Sequence, residues 1–555
     1  MGNNSSNLAR ERSRAVPGTV SGGVDPYIVL ARRRGIDPPR FSIPLRLADH
    51  VDNLALYDYP FENLVFAGGG NRLFAYTGAL EVLHETGILK NIKRFAGTSL
   101  GALTACFAAL GVGPREIVVE VEKVRRDIRK MLKDSKWGIF SLIPNTLRRY
   151  GWHPASAYCR WLELNLSDYA GKPDITFREF YEATGKELCC VATNLNRMSV
   201  EYCHLKTTPD MPVIIALRMS MSLPVLLQAV KHQTHGAEDV FVDGGLLCNY
   251  PIHVFDGWWL SMDGADNFFI RLNSFGNAFK MMETKERFGT RNDKTLGLCL
   301  YTASESSLMQ SLFQDRYSGS SAKVPSTVLA RSRRVSYCDV PDNTANRRTD
   351  AFAHFFSLFK EQDIDENGYL DFKTFKHFIQ KNKSCSVTSD YELLFGKNMS
   401  IDEAFGLVDS SGNGKISPYD LVRFAEQRGI HVNSRLLGYA RQEINDFNGY
   451  INALFNSVMN HAMKEFVKDN DYDRTIGIDT RYIRGTDFSI KVGDRDFLFE
   501  QGYRATIAYL TEYVTKQNLK KRKENLKRQT EKRKSHIVFT DEEVQSLDDE
   551  LTNNT

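Results

Sequence analysis

Gly97, Thr98, Ser99, Leu100 and Gly101 spell GxSxG between an apolar run and a stretch of small residues. Where a strand runs directly into a helix, this pattern is a nucleophile elbow. The sharp turn strains the serine backbone and brings neighbouring chain so close that residues without a Cβ are needed beside it. The helix starting at Leu100 points its positive end at any oxyanion formed nearby. A second glycine-rich turn lies upstream. Gly68, Gly69 and Gly70, with Asn71 and Arg72, close one predicted strand and open a helix, so their N–H groups can cradle an anion. Asp243 ends the apolar run 240–242 and is followed by Gly244 and Gly245. A carboxylate is a poor base in water and a better one when desolvated, so Ser99 and Asp243 are a chemically reasonable pair for cutting carboxylic esters. Other readings stand beside this one. A glycine-rich strand-to-helix loop also serves as a nucleotide or phosphate cradle or a packing turn, and His232, His235 or His253 can act as base in Ser, Asp, His order.

Positioning these residues requires an α/β layer. Apolar runs at 64–66 and 95–96, separated by a helical stretch at 74–86, read as a βαβ beginning. Further strands are expected at 188–192 and 240–242, in a largely parallel sheet. Consecutive parallel strands joined by a right-handed crossover end at the same sheet edge, which predicts that the glycine loop and Ser99 are neighbours. The loop then acts as an oxyanion hole, each donor contributing about a hundred- to a thousandfold in rate. The uncharged stretch 95–113 approaches a bilayer span in length, but its Gly, Ala, Ser and Thr content reads as a buried helix.

Taken in order, GGGNR, GTSLG and DGG resemble the three signatures of patatin-like phospholipases. The segment IALRMSMSLP (215–224) is similar to that family's helix before the aspartate, and LCNYP to the turn after it. RTIGIDTRYI and TDFSI, within 474–506, resemble the end of many microbial members. The resemblance covers roughly 61–310 and 438–510. It implies a patatin-like layered sheet flanked by helices and a phospholipase A or lysophospholipase activity. It also implies a dyad of Ser99 (nucleophile) and Asp243 (proton acceptor), an oxyanion hole from Gly68, Gly69, Gly70 and Arg72, and no cofactor for the ester chemistry. One position departs: Leu73 stands where the family usually has glycine. A triacylglycerol lipase, or an inactive patatin fold serving as a calcium-responsive membrane adaptor, are the alternatives.

Between the two stretches of resemblance lies a different texture. Asp363, Asp365, Asn367, Gly368 and Tyr369 follow the start of an EF-hand calcium loop, but position twelve is Thr374 instead of a bidentate glutamate. The second loop offers Asp409, Ser411, Asn413, Gly414, Lys415, Ser417 and Asp420 and is the better candidate for Ca2+. With so few carboxylates, binding is expected at the micromolar or weaker end of the range. The expected organisation is a basic arm (1–60), the first part of a hydrolase domain (61–345), an α-helical EF-hand-like insertion (346–432), the rest of the hydrolase (433–512), and a basic helix with an acidic tail (513–555).

The bulk properties agree. The chain has 555 residues, 42% hydrophobic and 25% charged, as expected for a conventional globular core. Nine scattered cysteines without metal-ligand spacing suit reduced thiols in the cytosol. A net charge of +4 gives no case for nucleic acid. The expected partners are an acyl lipid, a membrane surface and Ca2+. Met1, Gly2 and Ser6 fit the N-myristoylation pattern, and a single acyl chain holds only marginally without a second signal. Ten Lys or Arg between residues 516 and 534 are a candidate for that signal. Together these predict a cytoplasmic protein associated peripherally with membrane.

Overall fold

In a computed structural model of the protein, the residues described are 26–36, 45–132, 142–234, 236–274, 278–281, 283–302, 313, 316, 322–333, 351–352, 369–381, 385–396, 399–427, 444, 447–487, 490–517 and 519. Gly2, Asp363, Asp365, Asn367, His235 and nearly all of the basic segment with its acidic tail lie outside them. The chain divides into two compact units: Met1–Leu300, Phe313–Pro325 and Leu454–Thr555 form one, and Tyr301–Leu312 with Ser326–Ala453 the other.

Short apolar runs bounded by glycine and polar turns become strands, in chain order β1 (Asn63–Phe66), β2 (Arg94–Thr98), β3 (Gly151–His153), β4 (Glu187–Asn194), β5 (Ser199–His204), β6 (Val225–Leu227), β7 (Val230–Thr234), β8 (Ala237–Asp243) and β9 (Thr295–Tyr301). Two short strands of the second unit follow, β10 (Leu370–Asp371) and β11 (Lys415–Ile416), and then β12 (Thr475–Asp479), which returns to the first. The main sheet has the order β12-β9-β1-β2-β4-β8-β7, with β5 also on β4. Its centre is parallel: β1 pairs with β9 and β2, and β2 with β4. Leu64, Val65 and Phe66 are fully buried, as a central strand covered on both faces requires.

β8 departs from the expected parallel layer. It pairs antiparallel with β4, and only through its last residues, Ala192↔Asp243, Thr193↔Val242 and Asn194↔Phe241. Since β5 holds the other side of β4 over 189–194, β8 lies on the same side as β2. β2 ends with Thr98 beside Val191, and β8 arrives from the opposite direction and ends with Asp243 beside Ala192. The two strands meet end to end. That register, which no local pattern encodes, brings Asp243 to the tip of β2.

The stretch 95–113 divides into most of β2 and the helix Leu100–Ala109, whose small residues are buried on nearly every side. No helix among the described residues is long and apolar enough to cross a membrane. Two helices lie within the supposed arm. Pro26–Arg33 packs Ala31, with Ile36, on Val119, while Leu45–Leu54 buries Val51 and Leu54. Their apolar contacts are too few and too interspersed with Arg, Asp and Pro to stand out as periodicity.

The segment 474–517 closes the first unit. Arg474 makes a bidentate pair with Asp256, its Nη1 and Nη2 at 2.7 and 2.6 Å from the two carboxylate oxygens, and its Nε donates to Asp471. The helix Val492–Lys516 then crosses the helix Phe74–Glu85 backbone to backbone. A Cβ on Gly502 would stand 1.8 Å from the Ala75 carbonyl oxygen, and one on Gly78 1.9 Å from that of Phe499.

The second unit gathers short amphipathic helices around Phe375, Phe395, Phe405, Phe424 and Ile416. Ser400 and Glu403 form a capping box at the helix Ile401–Val408. β10 and β11 pair antiparallel, with Leu370 opposite Ile416.

Candidate active site

The elbow glycines are where close approach demands them. A Cβ on Gly97 would lie 2.4 Å from the backbone of Gly101, and one on Gly101 2.4 Å from the Ala67 carbonyl. Between them Ser99 takes φ 56°, ψ −131°, a left-handed conformation that non-glycine residues rarely adopt. This turn projects Oγ from the end of β2 towards the end of β8. Ser99 Oγ donates to Asp243 Oδ2 at 2.6 Å. The other carboxylate oxygen accepts the Gly245 amide at 2.7 Å. Asp243 is only 4% exposed, and burial pushes its carboxyl from 3.8 up to about 6, against the lowering effect of its bonds from Ser99 and Gly245. The carboxylate is desolvated enough to be a useful base and still ionised at neutral pH.

The glycine loop lies beside the serine. A Cβ on Gly68 would be 3.5 Å from that of Ser99 and 2.3 Å from Asn249 Oδ1. The Gly68 amide is taken by the Asn249 carbonyl at 2.8 Å, whereas those of Gly69 and Gly70 have no protein acceptor among the described residues. Arg72 is buried, and its Nε donates to Gly69 O at 3.0 Å, so it holds the loop from behind. Leu73 is buried in the core. Gly244 fits tightly under the Val191 carbonyl.

Several positioning residues carry no assigned role in the sequence reading. Ser220 Oγ accepts the Ser99 amide at 2.9 Å and donates to the Val191 carbonyl at 2.6 Å, pinning the nucleophile's backbone to β4. The Ser222 carbonyl accepts the Asp243 amide at 2.9 Å. Both serines belong to IALRMSMSLP, whose family likeness is visible in sequence although its contacts are not. The turn 484–487 braces the glycine loop. Gly485 O accepts the Asn71 amide at 3.0 Å, Asp487 O accepts Asn71 Nδ2 at 2.9 Å, and a Cβ on Gly70 (φ 53°) would lie 2.2 Å from Gly485 O.

His253 and His232 make other contacts. His253 Nε2 shares a 2.8 Å hydrogen bond with the Tyr202 hydroxyl and its ring stacks on Phe466, while burial and then Arg474 push it down to about 3. His232 lies on β7 opposite Asp239. Among the described residues, the side chain that meets Ser99 Oγ is a carboxylate.

In the second unit, Asp409 Oδ2 accepts the Gly414 amide at 2.8 Å, and Oδ1 accepts Ser411 Oγ at 3.1 Å and the Asn413 amide at 3.3 Å. Asn413 Oδ1 accepts the Lys415 amide at 2.9 Å. Asp420 accepts the hydroxyls of Ser410 and Ser417, both at 2.6 Å. Among the described residues no three His, Cys, Asp or Glu side chains form a metal-holding group. Tyr369 precedes β10 and Thr374 lies in the helix Phe372–Lys381.

Residues 64–256 match the family model described as patatin-like phospholipase. The protein YqhO of Bacillus subtilis (strain 168) is 34% identical over 204 residues, which take in 34% of this chain and 65% of that protein. The probable lipid hydrolase 463L of Invertebrate iridescent virus 6 is 26% identical over 194 residues, 35% of this chain and 63% of that one. The chain thus covers less than two thirds of either relative's length. The crystal structure of VipD from Legionella pneumophila is 14% identical at a TM-score of 0.32, covering 82% of this chain and 68% of that one, too slight a likeness to carry fold or activity. The family match and the relatives support the patatin family for the region that holds Ser99 and Asp243.

Proposed function

We propose that the protein is a lipid acyl hydrolase that cleaves carboxylic esters of membrane lipids through Ser99 and Asp243. The observation that carries this reading is the 2.6 Å hydrogen bond from Ser99 Oγ to a buried carboxylate oxygen, beside a glycine loop with two amides that have no protein acceptor among the described residues. Ser99 Oγ attacks the ester carbonyl carbon as its proton passes to Asp243 Oδ2. The carbonyl oxygen becomes an oxyanion held by the amides of Gly69 and Gly70, which Arg72 and the turn 484–487 keep in place. Collapse breaks the C–O bond. Asp243 returns the proton to the departing alcohol, leaving the acyl group on Ser99. Water then gives a proton to Asp243, attacks the acyl carbon, and releases the fatty acid as the proton returns to Ser99.

A fluorophosphonate probe tests this directly. Wild type is expected to be labelled and Ser99→Ala not, with phospholipid hydrolysis lost in parallel. An unlabelled wild type would favour an inactive fold acting as an adaptor.

The second unit supports a calcium reading. Pairing of Leu370 with Ile416 joins the eighth positions of two twelve-residue loops that start at Asp363 and Asp409, the register expected for an EF-hand-like pair. In the second loop Asp409 and Asp420 are already turned onto the loop's own amides and hydroxyls, so the donors fit a weak site made of Asp409, Ser411, Asn413, the Lys415 carbonyl and Asp420. Bound Ca2+ would supply charge to order this loop and takes no part in ester cleavage.

A further inference from the structure

At the sheet edge where Ser99 and Asp243 meet, three apolar residues stand in left-handed backbone conformations and face solvent: Tyr150 (φ 58°, 51% exposed), Met198 (φ 51°, 85%) and Val225 (φ 69°, 43%). Such a conformation is uncommon for any non-glycine residue and an outlier for β-branched valine. Ordinarily strain is tolerated where the surroundings over-determine it at a functional position. Here it holds apolar side chains out in water.

These residues share one contiguous stretch of surface. β3 and β6 pair Gly151 with Val225, which makes Tyr150 and Val225 neighbours. Lys231 Nζ lies 5.8 Å from the centre of the Tyr150 ring, and Lys231 pairs across β7–β8 with Val240. The Val240 carbonyl accepts the amide of Leu195, in the β4–β5 turn that also carries Met198. Leu195 is itself 43% exposed. The same stretch adjoins the dyad, since Val225 lies three residues beyond Ser222, whose carbonyl holds the Asp243 amide.

The charge beside these tips is basic. The helix Leu142–Arg149 leads into Tyr150, contains no acidic residue, exposes Leu147 to 73%, and ends in Arg148 and Arg149. Both arginines are exposed, and neither has a partner among the described residues. Lys231 and Arg197 are answered by Glu238 and Asp239. Separate apolar tips flanked by unanswered cations suit a soft surface of apolar interior and anionic rim better than a groove-filling peptide.

We propose that this edge is the surface on which the protein rests on an anionic lipid bilayer, with Leu147, Tyr150, Met198 and Val225 among the headgroups and Arg148 and Arg149 on lipid phosphates. The assignment rests on the hydrolase reading, because it delivers a bilayer substrate beside Ser99. The test is sedimentation of the full chain with vesicles of phosphatidylcholine, with and without phosphatidylglycerol. Arg148→Glu with Arg149→Glu is expected to weaken binding to the anionic vesicles about thirtyfold or more, at roughly fivefold per cation, and to change binding to neutral ones little. Met198→Asp, and separately Leu147→Asp, are expected to weaken binding to both. Wild-type affinity in all of these variants would place anchoring elsewhere, for instance in the basic segment 516–534, and would overturn the proposal, as would failure of wild type to bind. Fluorophosphonate labelling without lipid shows in each preparation whether Ser99 is intact. A wild type that binds vesicles but is never labelled would sink the hydrolase reading and leave the surface standing.

Discussion

Asp243 divides its two oxygens between the Ser99 hydroxyl and the Gly245 amide, and burial raises its folded-state pKa from 3.8 to about 6. Two consequences have opposite signs. As the base, Asp243 must be ionised, so kcat/KM on a monomeric ester is expected to rise with pH and level off above an apparent pKa near 6; a rate independent of pH between 5 and 8 would count against the assignment. In stability the carboxylate is a cost. Between pH 3.8 and about 6 the folded state keeps a proton that the unfolded chain has released, so stability falls through this window and the penalty persists at neutral pH. Asp243→Asn is therefore expected to lose activity by about a thousandfold or more while gaining about 1–3 kcal/mol in denaturant titrations at pH 7. Ser220→Ala removes the acceptor of the Ser99 amide and should lower kcat about tenfold with KM little changed, at a stability cost of about 1–3 kcal/mol. Ser99 is legible in sequence because its strained turn needs glycine on either side, and Asp243 because it ends an apolar run and is followed by two glycines. Ser220 is not, because a serine within an apolar helix gives no sign of what it faces.

Elements explain why a residue 144 positions beyond Ser99 reaches it. The βαβ start and the shared edge for the glycine loop follow from apolar runs and crossover handedness, and β1 and β2 lie where those rules put them. Asp243 also ends a strand, but that strand runs opposite to β2 and abuts its tip, on the side of β4 that β5 leaves open. No local pattern carries such information. The turn 484–487 is similarly hidden, since it becomes part of the site only when Asn71 and Gly70 dock on it. Asp487 holds this turn, its Oδ2 accepting the Arg484 amide at 2.7 Å. Asp487→Ala should loosen the glycine loop, lowering kcat and the rate of fluorophosphonate labelling about tenfold or more, with KM and melting temperature changed much less. Equal losses in melting temperature and rate would instead mark the turn as merely structural.

On the scale of the whole molecule, the first unit is assembled from sequence on both sides of the second, and Arg474 joins its parts by gripping Asp256 and Asp471 in the core. Arg474, the first residue of RTIGIDTRYI, therefore meets a packing requirement, whereas the helices within 26–54 are hidden in sequence by arginines and prolines around very few core contacts. The second unit carries the last expectation. Its loops contain polar oxygens at the right spacing, but position twelve is threonine in one and the shorter aspartate in the other. Calcium bound to the second loop competes for carboxylate oxygens with the amides and hydroxyls now satisfied by Asp409 and Asp420, which offsets part of the gain. Weak affinity follows, at micromolar dissociation constants or weaker. Isothermal titration of the full chain should give such a constant, and Asp409→Ala should abolish the heat. Ligand at about a hundred times its dissociation constant should stabilise the unit that binds it by about 2.7 kcal/mol. A silent titration, or heat that survives Asp409→Ala, would leave these loops as an EF-hand-like scaffold that no longer takes metal at Asp409.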